Sequence, residues 1–252
     1  MKKIAVISGA SSGMGREAVH VTAGSLRSID EIWVIARRRE RLRELADAYP
    51  GKIRTFAGDL IDLSFIETIA EAAREERVRV CLLVNAAGFG KLGTEGQIPG
   101  KETEEMIDLN CRALTVLTEK LLPLCGAKTR IINFASSAAF LPQPGFAVYA
   151  ATKAYVLSYS YALRKELSSR GISVTAVCPG PVDTEFFPLA EENAGTPWYK
   201  KLFMVKAEDV VAKAFRDAFA GRAVSVYGLP MNSFRLLCKA LPWNLILNYY
   251  TS

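Results

Sequence analysis

The sequence predicts an α/β fold, a doubly wound parallel sheet of about seven strands with helices on both faces. Three observations carry this reading. Short runs that are apolar throughout alternate with helical stretches from the first residues, and strands apolar on both sides belong in a parallel sheet covered on both faces. A glycine-rich turn joins the first run to the first helical stretch. No repeat, low-complexity tract or linker divides the 252 residues, so residues 1–252 read as one domain, long enough to bury a sizeable core.

Ile4–Ile7 is the first strand, and Gly13–Gly24 the helix that the glycines open. Ile32–Ala36 is the second strand, followed by a charged helix over Arg38–Tyr49 that Pro50-Gly51 closes. Ile53–Phe56 is the third. The helix over Ser64–Glu76 starts with Ser64 as N-cap and Glu67 at capping-box spacing. Cys81–Val84 is the fourth strand; a glycine-rich loop and one long helix, Lys101–Leu124, follow. Arg130–Phe134, the helix Val148–Ser169 and Ser173–Cys178 come next. Residues 179–205 read as irregular, before a helix over Ala207–Ala220 and a seventh strand, Val224–Tyr227.

Half of the residues are hydrophobic and 23% are charged, as in ordinary soluble proteins. The net charge of +6 fits anionic ligands, but the arginines lack the aromatic interleaving of a nucleic-acid surface, and no nucleic-acid partner is expected. The five cysteines are scattered without a Cys-x-x-Cys, which points to reduced thiols rather than a disulfide frame or a metal site. With no signal peptide or bilayer-length apolar run, the expected location is cytoplasmic. The single histidine, His20, falls inside a helix and is not expected to be catalytic.

The turn reads Ser8-Gly9-Ala10-Ser11-Ser12-Gly13-Met14-Gly15. Its G-x-x-x-G-x-G spacing differs from G-x-G-x-x-G, but the physics is the same: backbone that can approach a phosphate, and a helix N-terminus with free N–H groups facing it. A Rossmann-like dinucleotide site follows, with Gly9, Ser11, Ser12, Gly13, Met14 and Gly15 at the phosphates. The second strand ends without a carboxylate for a ribose 2′-hydroxyl and runs into Arg37-Arg38-Arg39. Guanidinium groups there favour NADP(H) over NAD(H), with Arg37 the first choice for a 2′-phosphate and Arg38 beside it. Arg39, Arg41 and Arg43 read as solvated helix positions. Tyr149 and Lys153 lie four apart, so one helix face carries a phenol and an ammonium together, and Ser136 ends the preceding strand.

This ordered set resembles the short-chain dehydrogenase/reductase family, in its single-domain form of about 250 residues, from Ile4 to Thr184. The residues are the glycine turn, Asp59-Leu60, Asn85-Ala86-Ala87-Gly88, Asn110, Ser136, Tyr149-x-x-x-Lys153 and Pro179-Gly180-Pro181-Val182-Asp183-Thr184. The resemblance implies an NADP(H)-dependent alcohol dehydrogenase or carbonyl reductase. In it Asp59 and Leu60 meet the adenine, Asn85, Ala86 and Gly88 line the dinucleotide path, and Pro179, Gly180, Val182 and Thr184 hold the nicotinamide. Tyr149 is the general acid, its phenolate favoured by Lys153, which also holds the ribose. Ser136 binds the substrate oxygen, and Asn110 binds a water that links Lys153 to solvent. Ser136 lies thirteen residues before Tyr149, the family's interval, and is preferred to Ser137.

Phe140, Leu141, Pro142 and Phe146 on one side, and a lid over about 179–205 with Phe186, Phe187, Pro188, Leu189, Trp198, Tyr199, Phe203 and Met204 on the other, imply an apolar carbonyl or alcohol substrate, hydroxysteroid-like or a fatty ketone. Phe140, Phe146, Phe186 and Phe187 are the expected substrate contacts. A 3-oxoacyl thioester is the alternative substrate, and a non-catalytic NADP-binding or sensing protein the alternative of another class. Epimerases and dehydratases with the same tyrosine and lysine carry a larger substrate domain than 252 residues accommodate. In the apolar extension over about 229–252, Met231, Phe234, Leu237, Cys238 and Leu241 form a helical stripe that Pro242 interrupts. It completes a pocket or subunit interface, or, with Arg235 and Lys239 on its polar side, rests on a membrane surface. A homodimer or homotetramer is the expected assembly.

Overall fold

The computed structural model describes residues 1–94, 96–190 and 204–248, apart from the side chains of Phe187 and Leu189. The first half alternates β1 (Lys3–Ser8), α1 (Gly13–Ser25), β2 (Glu31–Ala36), α2 (Arg39–Ala48), β3 (Ile53–Ala57), α3 (Leu63–Glu75) and β4 (Arg79–Asn85). Then α4 (Gly100–Ile107) passes through a π-helical segment (Asp108–Ala113) into α5 (Leu114–Leu121), followed by β5 (Cys125–Phe134) and α6 (Ala147–Glu166). After β6 (Ser173–Val177) come β7 (Val182–Asp183), α7 (Phe186–Ala190), β8 (Val205–Lys206), α8 (Ala207–Phe219), β9 (Val224–Ser225), α9 (Leu229–Ala240) and α10 (Trp243–Leu247).

Seven strands form one sheet in the order β3-β2-β1-β4-β5-β6-β9, every pairing parallel. The doubly wound sheet expected from the sequence is therefore present. The strands are apolar throughout because alternate residues feed two separate cores. Ala5 and Ile7 of β1 pack with Ala18 of α1, Leu42 of α2 and Val211 of α8, whereas Ile4 and Val6 pack with Ile66 of α3, Leu117 of α5 and Leu163 of α6. The order reverses between β1 and β4, where the crossovers leave to opposite sides and open a crevice at the strands' carboxyl ends.

Four local details differ from the sequence expectation, each for a physical reason. Asp62, not Ser64, caps α3: its carboxylate accepts from the Ser64 N–H at 2.9 Å and from the Ser64 hydroxyl at 2.7 Å. The long helix is interrupted by the π segment that contains Asn110. Such a segment shifts the hydrogen-bond register and re-aims side chains, a change invisible in apolar spacing. β5 starts earlier, at Cys125, because the Thr129 hydroxyl bonds the Val80 carbonyl at 2.7 Å and holds the early part of the strand against β4. The stretch after β6 contains β7, which pairs with β8 as Val182 to Val205 and Asp183 to Lys206. Pro242 does break the tail, between α9 and α10. Among the described residues no helix is long and apolar enough to cross a membrane.

The two glycines at the ends of α1 have opposite constraints. A Cβ on Gly15 would stand 2.2 Å from the Gly9 carbonyl oxygen, whereas one on Gly24 would meet nothing within 4 Å. Gly24→Ala is expected to stabilise the protein by about 0.5–1 kcal/mol in urea denaturation, since alanine is the better helix residue. Gly15→Ala is expected to lower the urea midpoint, because the clash is with backbone.

Candidate active site at the carboxyl edge of the sheet

The crevice between β1 and β4 depends on backbone packed against backbone. Gly9 has φ +67°, and a Cβ there would come within 2.7 Å of the Ala87 nitrogen. Ser8 closes the same junction: its hydroxyl accepts from the Ala86 N–H at 3.1 Å and the Ala87 N–H at 3.2 Å. The result is a cleft of about 390 Å³. Gly9, Ser11, Ser12, Gly13, Met14 and Gly15 form one wall, Arg37, Arg38, Asp59 and Leu60 its far end, and Ala86 and Gly88 the opposite wall. No acidic residue occupies the first turn of α1, and Ser12 makes no side-chain cap, so the helix start retains N–H groups for an anion.

The arginines divide. Arg37 is 70% exposed, with one nitrogen 3.7 Å from the Asp59 carboxylate. Arg38 is tied to the glycine turn, donating to the Ser12 hydroxyl at 2.6 Å and the Ser11 hydroxyl at 3.2 Å. It also meets Glu185 at 2.7 Å, and Arg41 meets the other oxygen of the same carboxylate at 2.5 Å. The two guanidinium groups hold the Glu185 carboxyl below its ordinary range.

A smaller cavity of about 130 Å³ continues from the cleft and shares Met14, Ala86, Gly88, Thr184 and Phe186 with it. Tyr149, Lys153 and Ser136 line it together. Ser136 accepts from the Ala138 N–H at 3.1 Å, and its hydroxyl stands close enough to the Tyr149 phenol to favour the phenolate. Lys153 donates to the Phe134 carbonyl at 3.0 Å, which sets its ammonium 5.6 Å from the centre of the Tyr149 ring. Phe146 stacks on that ring at 4.3 Å and Phe186 tilts against it at 5.3 Å. Pro179, Gly180, Pro181 and Val182 form the other side. Glycines are required at the back: a Cβ on Gly88 would sit 2.7 Å from the Asn110 side-chain oxygen and 3.3 Å from the Lys153 nitrogen.

Residues 3–194 match the family model described as short chain dehydrogenase. The chain belongs to the short-chain dehydrogenase family. It is similar to sulfoacetaldehyde reductase 2 of Chromohalobacter salexigens, with 33% identity over 238 residues that cover 90% of this chain and 92% of that one. A short-chain dehydrogenase from Sphingobium yanoikuyae in complex with NADPH superimposes with a TM-score of 0.77 at 27% identity, covering 96% of this chain and 97% of that one. A short-chain dehydrogenase/reductase from Burkholderia phymatum in complex with NAD shares the fold, with a TM-score of 0.80 at 22% identity over 94% of this chain and 92% of that one.

Several side chains of this dehydrogenase point elsewhere than its motifs suggest. Asn85, expected along the dinucleotide path, turns away from the cleft into the sheet, donating to Thr118 at 3.0 Å and Asn133 at 2.8 Å. Phe140 faces the tail, 6.4 Å from Phe234, because the 3₁₀ turn Ser137–Phe140 carries its ring out of the cavity. Asn110 donates to the Phe89 carbonyl at 2.9 Å and to Thr152 at 3.0 Å, and accepts from the Phe89 N–H at 3.1 Å. That leaves one oxygen lone pair for the proton relay that the resemblance implies. The Phe187 and Leu189 side chains, with Trp198, Tyr199 and Phe203, lie outside the described residues.

Other residues join the site without a motif to announce them. Gln143 adds an amide to the smaller cavity, and Ser137 also lines it. Glu185 joins at the far end of the cleft, with Arg41 as an ion-pair partner. A carboxylate in the Pro-Gly loop had no sequence signal tying it to arginines more than 140 residues away. The tail supports the site from behind, with Met231 filling the space beside Gly180. Its other face leaves Leu229, Leu236, Trp243 and Leu245 exposed. His20 is paired with Tyr49 at 2.8 Å, as a structural histidine would be.

Burial acts on both central groups by favouring their neutral forms. It raises the Tyr149 phenol, opposed by the neighbouring Ser136 hydroxyl, so the direction is opposite to the lowering expected from Lys153 alone. It lowers Lys153 from 10.5 to about 8. The folded protein therefore releases this proton near pH 8, while the unfolded chain keeps it to about 10.5, so Lys153 makes stability rise with pH across that window. Lys153→Met is expected to be more stable than wild type at pH 7, by on the order of 1–3 kcal/mol. Thermal melts from pH 7 upward check this; the gap between variant and wild type should close as pH passes through 8 toward 10.5.

Proposed function

We propose that this dehydrogenase transfers hydride between NADP(H) and a carbonyl or secondary alcohol, with Tyr149 as the general acid and base. The observation that carries the reading is the convergence of Ser136, Tyr149 and Lys153 on one cavity continuous with the nucleotide cleft. The glycine turn, the uncapped start of α1 and the adjacent arginines fit a phosphorylated dinucleotide. Arg37 and Arg38 would face the 2′-phosphate, Asp59 and Leu60 the adenine, and Ala86 and Gly88 the ribose and phosphates. Pro179, Gly180, Val182 and Thr184 would hold the nicotinamide, and Lys153 the ribose beside it.

When bound, the reduced cofactor supplies the hydride that adds to the carbonyl carbon. The chain supplies the rest. Ser136 and Tyr149 hydrogen-bond the carbonyl oxygen, and the Tyr149 proton passes to it as the carbonyl π pair becomes the new O–H bond. The phenolate left behind is stabilised by the Lys153 ammonium. Asn110 fixes the Phe89 backbone and Thr152, and so holds the Gly88 loop against Lys153. Phe146 and Phe186 exclude water around the phenol and support an apolar substrate. Gln143 and Ser137 favour a second reading, a small polar aldehyde such as the substrate in the name of the Chromohalobacter relative. A screen of NADPH oxidation over cyclic and fatty ketones and over small polar aldehydes separates the two, the higher kcat/KM deciding.

Tyr149→Phe is expected to lower kcat by about 10²–10⁴-fold with NADPH binding unchanged. Equal kcat in wild type and variant would exclude the mechanism. Arg37→Ala is expected to weaken NADPH about tenfold while leaving NADH within about twofold, as read by fluorescence titration. Equal losses for both would remove Arg37 from phosphate recognition.

A further inference from the structure

One carboxylate already pairs with an arginine that the NADP(H) reading assigns to the phosphate. Glu185 bridges Arg38 and Arg41, at 2.7 and 2.5 Å, at the end of the cleft that Arg37 and Arg38 line. Arg38 does not need it for orientation, since Ser11 and Ser12 already hold two of its nitrogens. Arg41 is likewise fixed from the glycine turn, donating to the Ser11 carbonyl at 3.4 Å. Two prearranged guanidinium groups converging on one anion is the recognition geometry of a phosphate as much as of a carboxylate.

The geometry points to Glu185 as an internal competitor that sets cofactor preference: a ribose 2′-phosphate must displace its carboxylate from Arg38 and Arg41, whereas a 2′-hydroxyl leaves the pairs intact. This rests on the NADP(H) reading and extends it from which residues bind the phosphate to what opposes it. The pairs are between a third and a half exposed, so each opposes the phosphate only modestly. The consequence is also local to the active site. Glu185 directly precedes Phe186, whose ring lies against Tyr149, so exchange of the anion at the arginines occurs one residue from the wall of the catalytic cavity.

The test is binding of 2′,5′-ADP and 5′-AMP, which differ only in the 2′-phosphate, to wild type and Glu185→Gln by calorimetry. The variant keeps the size of the side chain and removes its charge, and a thermal melt verifies its fold. The expected result is that Glu185→Gln tightens 2′,5′-ADP by about fivefold to tenfold and leaves 5′-AMP within about twofold. Unchanged or weaker 2′,5′-ADP binding in a folded variant overturns the competitor role, and a loss would make Glu185 a positioning residue for Arg38. Failure of the NADP(H) reading looks different: neither protein then separates the two nucleotides. If wild type is indifferent and Glu185→Gln prefers 2′,5′-ADP, the native preference is not for NADP(H), and Glu185 is what cancels it. A Glu185→Gln, Arg38→Ala double variant should lose the gain, because the freed guanidinium is its source.

Discussion

The close approach of Gly15 to Gly9, and of Gly9 to Ala86 and Ala87, is the constraint on which the rest of the site depends. Three backbone segments meet there with no side chain between them. The contact brings the start of α1 against the loop after β4 at the one place where the strand order reverses. Ser8 ties the junction by accepting from two backbone N–H groups of the loop after β4. The effect extends along the β4 loop. Gly88 packs on Asn110 and Lys153, and Gly90 on Tyr149 and Phe186, so the position of the glycine turn is passed to the catalytic cavity through contacts that admit no Cβ.

What the sequence revealed follows from how far each signal reaches. Tyr149 and Lys153 were legible because one helical turn fixes their relation, and Ser136 because it ends a buried strand a short loop away. The sheet was legible because runs such as Ile4–Ile7 must be apolar on both faces. The glycine turn was legible because only backbone packing explains so many glycines at a strand–helix junction. Side-chain direction was less accessible. Asn85 and Asn110 occupy expected places, but their amides serve the sheet and the Phe89 backbone. Phe140 is four residues from Ser136, yet a 3₁₀ turn aims it at Phe234 rather than into the cavity. Glu185 with Arg41 was beyond reach, since that pairing exists only once the loop after β6 folds back over the start of α2.

The far end of the cleft and the catalytic cavity are stabilised in different ways. At the far end the charges are half-exposed and paired, so exchanging one anion for another costs little, which suits a site that must release its ligand. At the cavity the groups are buried, and among the described residues the Phe134 carbonyl is the one fixed acceptor of Lys153. Salt should therefore weaken recognition at the arginines while hardly touching the phenol and ammonium.

That burial also bears on the proton transfer. Taken singly, Tyr149 and Lys153 are each pushed toward neutrality. Taken together, the low dielectric that penalises each ion strengthens the attraction between phenolate and ammonium. A lone phenolate is strongly disfavoured in this cavity, and one formed beside a protonated Lys153 much less so. In the proposed mechanism the phenol would keep its proton until a carbonyl oxygen is in place to receive it, and Lys153 would have to carry its charge at that moment. With burial drawing its titration down to about 8, that charge is retained at neutral pH, so under the proposed mechanism the alkaline limit is expected to follow the lysine rather than the tyrosine.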